Sequence, residues 1–420
     1  MRLLVAPHEL AIGGSQINAI DLAAGAAEAG HDVLVYGVEG PLVDLIEQRG
    51  LEWVPARTLR YRPAPSRVAQ LASLARRRRL DLIHGYEWPP CLDAFYGAHL
   101  LHRVPLVCTV LSMSVSPLVP RSIPLIMGTE ALGEEARRTH GAPVWVMEPP
   151  IDADADHPGL DGKAFRREHG VGDDERLIVT VSRLAVDLKL DALVRAIDAA
   201  DLLAGALPVK LVLVGAGPAD EPLRRRAAAV NARWGRDVVV FAGSLADPRP
   251  AYAAADVVVG MGSSALRAMS IGRPLVVQGE RGFSKTFEPD AVPYFLDQGF
   301  WGSGDDAPGG DLLAGQLRTL LRDADLRARL GAFGRQMVEE RFSLRRATGQ
   351  VLNIYDEVRA PRRRTPAADV VLPAMRALRM EVDNHDPRLK RRRHESEREL
   401  LSAAGRPPAD GAGTALEAAA

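Results

Sequence analysis

Cysteine is nearly absent from this chain of 420 residues: Cys91 and Cys108 are the only two. Two thiols build no disulfide framework and no cysteine-rich metal site, and they suit a reducing compartment, so the expected location is cytoplasmic. Aromatic residues are also scarce, at 5%, which provides no long stacking platform for a polysaccharide. Net charge is small, because 53 Lys and Arg against 54 Asp and Glu leave a formal −1. Bulk electrostatics therefore draws the chain toward neither nucleic acid nor membrane, and no nucleic-acid partner is expected. Long apolar runs are missing as well: nowhere do about 18 uncharged apolar residues run together, and the apolar part of MRLLVAPHELAIGG is too short for a signal peptide.

What is present is a folded composition, 47% hydrophobic and 25% charged, in a chain long enough for two cores. Short apolar runs alternate with helical patterns: RLLVA, then Ser15 to Ala29, then DVLVYG, DLIHG, PLVCTV and VWVM. Strand then helix without tight hairpins implies parallel strands joined by crossovers, so residues 1–150 are expected to form a doubly wound α/β domain. The rhythm breaks at EPPIDADADHPG and restarts with RLIVTVS, KLVLVG, DVVVFAG, ADVVVG and RPLVVQG, which predicts a second such domain over 151–342. A loop carrying Phe283, Phe287, Tyr294, Phe295, Phe300 and Trp301 follows the last strand and is expected to be ordered. The helix 343–358 has an apolar face (Leu344, Val351, Leu352, Ile354, Tyr355) that needs burial. From Pro361 to residue 420 the basic and Ala/Gly/Pro-rich text, including RLKRRRHESERE, predicts disorder; such basic runs are more often solvated, and weak contact with an anionic membrane surface or with a partner is the functional alternative.

Two doubly wound domains facing each other would put strand C-ends and helix N-termini on both walls of a cleft. Four stretches belong at those edges. Gly13-Gly14-Ser15 follows the first strand and opens a helix, where Ser15 can cap. Arg183, at the end of the second domain's first strand, and Lys189 supply two cations. Gly215 and Gly217 in VGAGP follow another strand but lack the third glycine of a dinucleotide fingerprint. In VVVGMGSSALRAM, Ser263 or Ser264 would cap a helix whose free N–H groups suit phosphate, and Arg267 would reach back to the same anion or else pair with a carboxylate such as Glu280. His84 and Glu87 in DLIHGYEW are the acid/base candidates of the first domain. The DADAD run, Asp152 to Asp156, has His157 where a calcium loop needs glycine, so it is expected to be a solvated linker. His99 and His102 have no third ligand in sight, and no metal is expected.

Taken together these stretches resemble the GT-B glycosyltransferases, and among them the retaining family 4. GGSQINAIDLAAGAAEAGHDVLVYG resembles that family's glycine loop, long helix and following strand, and DLIHGYEWPP is similar to its "DvvHaH" segment. VSRLAVDLKLDALVRAI resembles "vGRL-x-x-eKG", ALRAMSIGRPLVV resembles "lEAMA-x-G-x-PVV", and FSLRRATGQVLNIYDEV looks like a closing helix that crosses back onto the first domain. The resemblance implies an α/β chain of two facing Rossmann-like domains. It also implies a donor diphosphate approached by Gly13 and Gly14 and contacted by Arg183 and Lys189, with Gly215, Ser263, Ser264 and Arg267 beside it and no bound metal or other cofactor. Three departures stand out. Arg267 replaces the second of two family glutamates, Arg183 and Lys189 are one residue further apart than usual, and Leu111 occupies the place of the "vtvHG" histidine.

The expected activity is transfer of a sugar from a nucleotide-diphosphate sugar to a small-molecule, lipid or glycan acceptor, with retention as the family implies. Two other classes remain open. A degenerate, non-catalytic nucleotide-binding partner is the reading that Leu111 and Arg267 favour, and a sugar-nucleotide epimerase would need acid/base groups in the cleft and no acceptor.

Overall fold

Runs such as LLVA, VLVYG and VLVG are apolar at every position, the pattern of parallel strands covered on both faces. They form the strands of a computed structural model that describes the chain apart from residues 60, 63, 306–308, 361–364 and 409–420. The chain divides into two compact units, Met1–Asp152 with Phe342–Lys390, and Ala153–Arg341 with the segment from Arg391 onward.

The described residues of the first unit give seven strands: β1 (Arg2–Ala6), β2 (Asp32–Gly37), β3 (Glu52–Pro55), β4 (Leu82–Tyr86), β5 (Leu106–Val110), β6 (Leu125–Met127) and β7 (Val144–Val146). Their order is β3-β2-β1-β4-β5-β6-β7, all parallel, so the direction of winding reverses between β1 and β4. One face of this sheet is covered by the Gly14–Glu28 helix together with Leu344–Arg359, whose Ala347, Val351, Ile354, Tyr355 and Val358 are buried. These two helices approach so closely at Gly25 that a Cβ there would lie 2.3 Å from Thr348 Oγ1, which is why the position has no side chain. The chain leaves and re-enters this unit side by side: Ile151 N donates to Phe342 O at 2.8 Å and Leu344 N to Ile151 O at 2.9 Å.

In the second unit β8 (Arg176–Val181), β9 (Val209–Val214), β10 (Val239–Gly243), β11 (Val257–Gly260), β12 (Leu275–Gln278) and β13 (Ser284–Thr286) make a sheet of order β10-β9-β8-β11-β12-β13. It is parallel except for the last pair, and it reverses between β8 and β11.

Two expectations are revised, and that of an ordered aromatic loop is met. The tail is helical where it is described: Ala367–His385 and Pro387–Ala404 are helices, with Ala377 buried against Leu92 and Leu118, and Ala404 in the second unit's core. Small residues make those contacts, so the apolar content that signals a core is low. The DADAD run is an anchor: Asp152 Oδ2 accepts from Arg49 at 3.2 Å, and Asp156 is buried beside Arg267. The aromatic loop is ordered by its own rings, Phe287, Phe295 and Phe300 packing on one another and on Phe333. No described helix is long and apolar enough to cross a membrane.

Candidate functional site

In an open doubly wound sheet the strand ends diverge at the point of reversal and leave a crevice beyond their C-termini. In the second unit that point lies past β8 and β11, and four of the expected residues flank it: Arg183 and Lys189 after β8, Ser263 and Ser264 after β11. Gly215 closes β9 next door. Its φ of +142° belongs to glycine, and a Cβ would sit 1.9 Å from Ser182 O. Gly217 is pressed likewise on Leu184 O. The glycines of VGAGP thus let the segment after β9 lie directly against the segment carrying Arg183, with Ser182 N bonded to Val214 O and Leu184 N to Ala216 O.

Lys189 is the N-cap residue of the Leu190–Ala204 helix, preceded by Leu188 at φ +62°. A branched side chain in the left-handed region is strained, and such strain is concentrated where position matters more than stability. Burial, helped by the positive charge of Arg183, lowers the Lys189 pKa to about 8. Among the described residues neither side chain has a hydrogen-bond or ion-pair partner. Two neighbouring cations, one half-buried, with no carboxylate bonded to either among the described residues, at a helix N-terminus, form an arrangement that an anion would complete.

The Ser263–Ser270 helix is built differently from the expected form. Gly262, at φ +59°, is its N-cap, no serine hydroxyl caps it, and Ser264 Oγ lies 2.9 Å from Tyr252 OH. Ser263 is exposed at the first turn. Arg267 Nε donates to Asp156 Oδ2 at 2.7 Å, so the carboxylate reading holds, with Asp156 in place of Glu280. With only eight residues the helix also places Arg267 in its last turn, where the dipole favours positive charge.

The first unit's reversal point lies past β1 and β4. Gly13 is the N-cap of the Gly14–Glu28 helix in extended backbone, and Gly14 opens it. Ser15 does not cap. Its Oγ is buried without a hydrogen-bond partner among the described residues. Sequence reasoning missed the polar group over this turn: Gln16 Nε2 lies 3.0 Å from both His8 Nε2 and Glu9 Oε1. A histidine and a glutamate directly after a first strand, in VAPHEL, were the available signal.

His84 is not at the strand end. It lies in the middle of β4, buried, with Nδ1 at 2.7 Å from Tyr355 OH and Nε2 at 2.7 Å from Thr109 Oγ1. Desolvation lowers its pKa to about 3, so it is neutral and sealed from any substrate, and the acid/base expectation for it is withdrawn. Glu87 is at the edge, with φ +67° and ψ 173°, a region that glycine alone occupies readily. Its carboxylate accepts from Leu111 N at 2.8 Å, Ser112 N at 3.0 Å and Ser112 Oγ at 2.7 Å. These bonds tie the ends of β4 and β5 together, a holding role built around the very position where the family histidine is replaced by leucine. Among the described residues no group of three or more His, Cys, Asp or Glu side chains is arranged to hold a metal ion.

Comparison with known proteins agrees with this architecture. Residues 12–123 match the family described as Glycosyltransferase Family 4, and residues 175–323 match Glycosyl transferases group 1. An uncharacterized glycosyltransferase of Methanocaldococcus jannaschii is 23% identical over 385 residues, covering 82% of this chain and 94% of the relative. In fold, a glycosyltransferase of Rickettsia africae has a TM-score of 0.69 at 13% identity over 86% of this chain and 99% of its own. The Anabaena protein HepE, crystallised in complex with UDP, has a TM-score of 0.66 at 19% identity over 85% of this chain and 100% of its own. Each unit carries one glycosyltransferase match, in chain order, on a sheet of the Rossmann-like kind, and the chain is therefore a glycosyltransferase of two Rossmann-like domains, similar to Glycosyltransferase Family 4 in the first and to Glycosyl transferases group 1 in the second.

Proposed function

We propose that the chain transfers a sugar from a nucleotide-diphosphate donor to a small-molecule, lipid or glycan acceptor, with retention of configuration. The observation that carries the donor assignment is the uncompensated cation pair, Arg183 and Lys189, at the reversal point of the second sheet. Support also comes from HepE, whose crystal structures hold UDP and UDP-glucose. In this reading Arg183 and Lys189 take the charge that develops on the diphosphate as the glycosidic C–O bond breaks, so no metal is needed. Gly215 keeps the neighbouring turn close, and Ser263 and Ser264 contribute donors at their helix start. The sugar passes through an oxocarbenium-like state, the departing phosphate oxygen takes the acceptor proton, and the acceptor oxygen forms the new bond on the face the phosphate left. This step needs no protein nucleophile and no titrating histidine, which fits a sealed His84. Arg267 enters only by holding Asp156 and the helix that presents the serines.

A second reading, a nucleotide-holding subunit without turnover, is favoured by one observation: Leu111, at the family histidine's position, is held in place by Glu87. A thermal-shift screen with UDP, GDP, dTDP and ADP tests binding, since a ligand at 100 times its dissociation constant adds about 2.7 kcal/mol. Consumption of the matching sugar nucleotide then separates transferase from holder. Binding that Lys189→Ala leaves unchanged would overturn the donor assignment.

A further inference from the structure

The Ala367–His385 helix lies beyond the segment that resembles the family, and it is apolar on two sides. Its docked side carries the buried Pro373 and Ala377, the latter against Leu92 and Leu118, and its backbone is tied down where Tyr96 OH donates to Val370 O at 2.6 Å. The opposite side exposes Val371 (52%), Leu372 (45%), Met375 (63%), Leu378 (63%) and Val382 (63%). At 3.6 residues per turn, positions 371, 375, 378 and 382 fall within an arc of about 60°, a continuous stripe along the helix. Scattered exposed hydrophobics need no explanation, but a stripe of this kind on one helix does.

Charge says what covers it. Two of the helix's acids turn inward: Asp369 Oδ2 accepts from Ser122 N at 2.7 Å and Glu381 Oε1 from Arg62 N at 3.0 Å. Arg379, by contrast, is exposed, with Asp383 at 4.0 Å as its neighbour. Directly after this helix the chain reads RLKRRR from Arg388 to Arg393, all exposed apart from Leu389, with only Asp386 between the two helices. A second copy paired in parallel would set the two basic runs against each other, so parallel self-pairing is electrostatically opposed. An apolar stripe followed by a cluster of Lys and Arg matches the boundary between acyl chains and acidic headgroups.

We propose that the exposed face of the Ala367–His385 helix, with the basic run after it, docks on an anionic lipid surface. The stripe enters the headgroup boundary and the basic run holds the acidic lipids. The proposal turns the weak contact expected of a disordered tail into an ordered, amphipathic device, and it is independent of which donor or acceptor the enzyme uses.

The test is flotation of the full-length protein with phosphatidylcholine vesicles, with and without phosphatidylglycerol. The protein should float with the anionic vesicles only, and less as salt rises. Met375→Ser/Leu378→Ser/Val382→Ser changes only exposed side chains, so its melting temperature should match the original while partition falls by roughly tenfold for each side chain withdrawn. Arg388→Gln/Lys390→Gln should weaken binding to anionic vesicles and reduce its salt dependence. The proposal is overturned if the original protein stays with the soluble fraction, or if the serine variant floats equally well. It is also overturned if light scattering shows a dimer that the serine variant dissociates, which would assign the stripe to a second copy.

Discussion

Titrating Lys189 separates an anion site from a merely buried lysine. Its pKa is lowered from 10.5 to about 8, first by burial and then by Arg183. Below that value Lys189 is charged and ready for a diphosphate, and above it the site keeps only Arg183. With a pKa near 8, about nine tenths of the protein is protonated at pH 7 and about one tenth at pH 9, so affinity for UDP should fall about tenfold across that interval. Bound phosphate would raise the pKa again, because the charged form is the one it favours. Stability moves the other way. Between about 8 and 10.5 the unfolded chain binds the extra proton, so this group makes the ligand-free protein more stable as pH rises through that window. Loss of binding at pH 9 therefore cannot be blamed on this lysine unfolding the domain.

The assay is calorimetric titration of UDP at pH 7 and pH 9 at constant ionic strength, on the original protein and on Lys189→Met. The variant should bind about 10- to 150-fold more weakly at pH 7, the loss of a charge-assisted contact of about 1.5–3 kcal/mol, and should show no further decline at pH 9. The reasoning is refuted if the original protein binds equally at both values, or if Lys189→Met retains the slope.

Arg267→Met should destabilise the second unit, because it removes the 2.7 Å ion pair to the 3%-exposed Asp156 carboxylate, and Asp156→Asn in the same chain should recover part of that loss in urea denaturation. Ending the chain after Arg359 should lower the melting temperature, since it removes Ala377 from the first unit and Ala404 from the second; unchanged melting would show those contacts to be inert. His84→Gln should flatten the acid side of the stability profile. The folded pKa of about 3 lies below the unfolded 6.5, so the original protein loses up to about 1.4 kcal/mol per pH unit from this group as pH falls through that window, and a variant with the same slope in urea midpoints would contradict it.

The strands and their alternation with helices were readable because a parallel strand covered on both faces reads as a near-continuous apolar run, as RLIVTV and VKLVLV do. The place of Arg183 was readable for a related reason: it stands just past the end of β8, at the edge where the winding reverses, with Lys189 following as the N-cap of the next helix. The need for glycine at position 215 has a cause the sequence does not display, the carbonyl of Ser182 just past the end of β8.

His84 and Arg267 failed in the same way. Each is a polar residue near a strand end, and for each the type of residue states only that a partner is required. The partners lie far off in sequence: Tyr355 is 271 residues from His84, and Asp156 is 111 residues from Arg267. No local pattern distinguishes a histidine held by a distant tyrosine from one held toward a substrate. What distinguishes them is where the strand stops. Had β4 ended at Ile83, His84 would stand in the crevice with Glu87. It runs to Tyr86, because Gly85 and Tyr86 pair on with Cys108 and Thr109 of β5, and the three added residues carry His84 into the sheet. A shift of a few residues in a boundary thus converts a catalytic candidate into a core hydrogen bond, whereas Arg183, already past the last paired residue of β8, keeps its place at the edge.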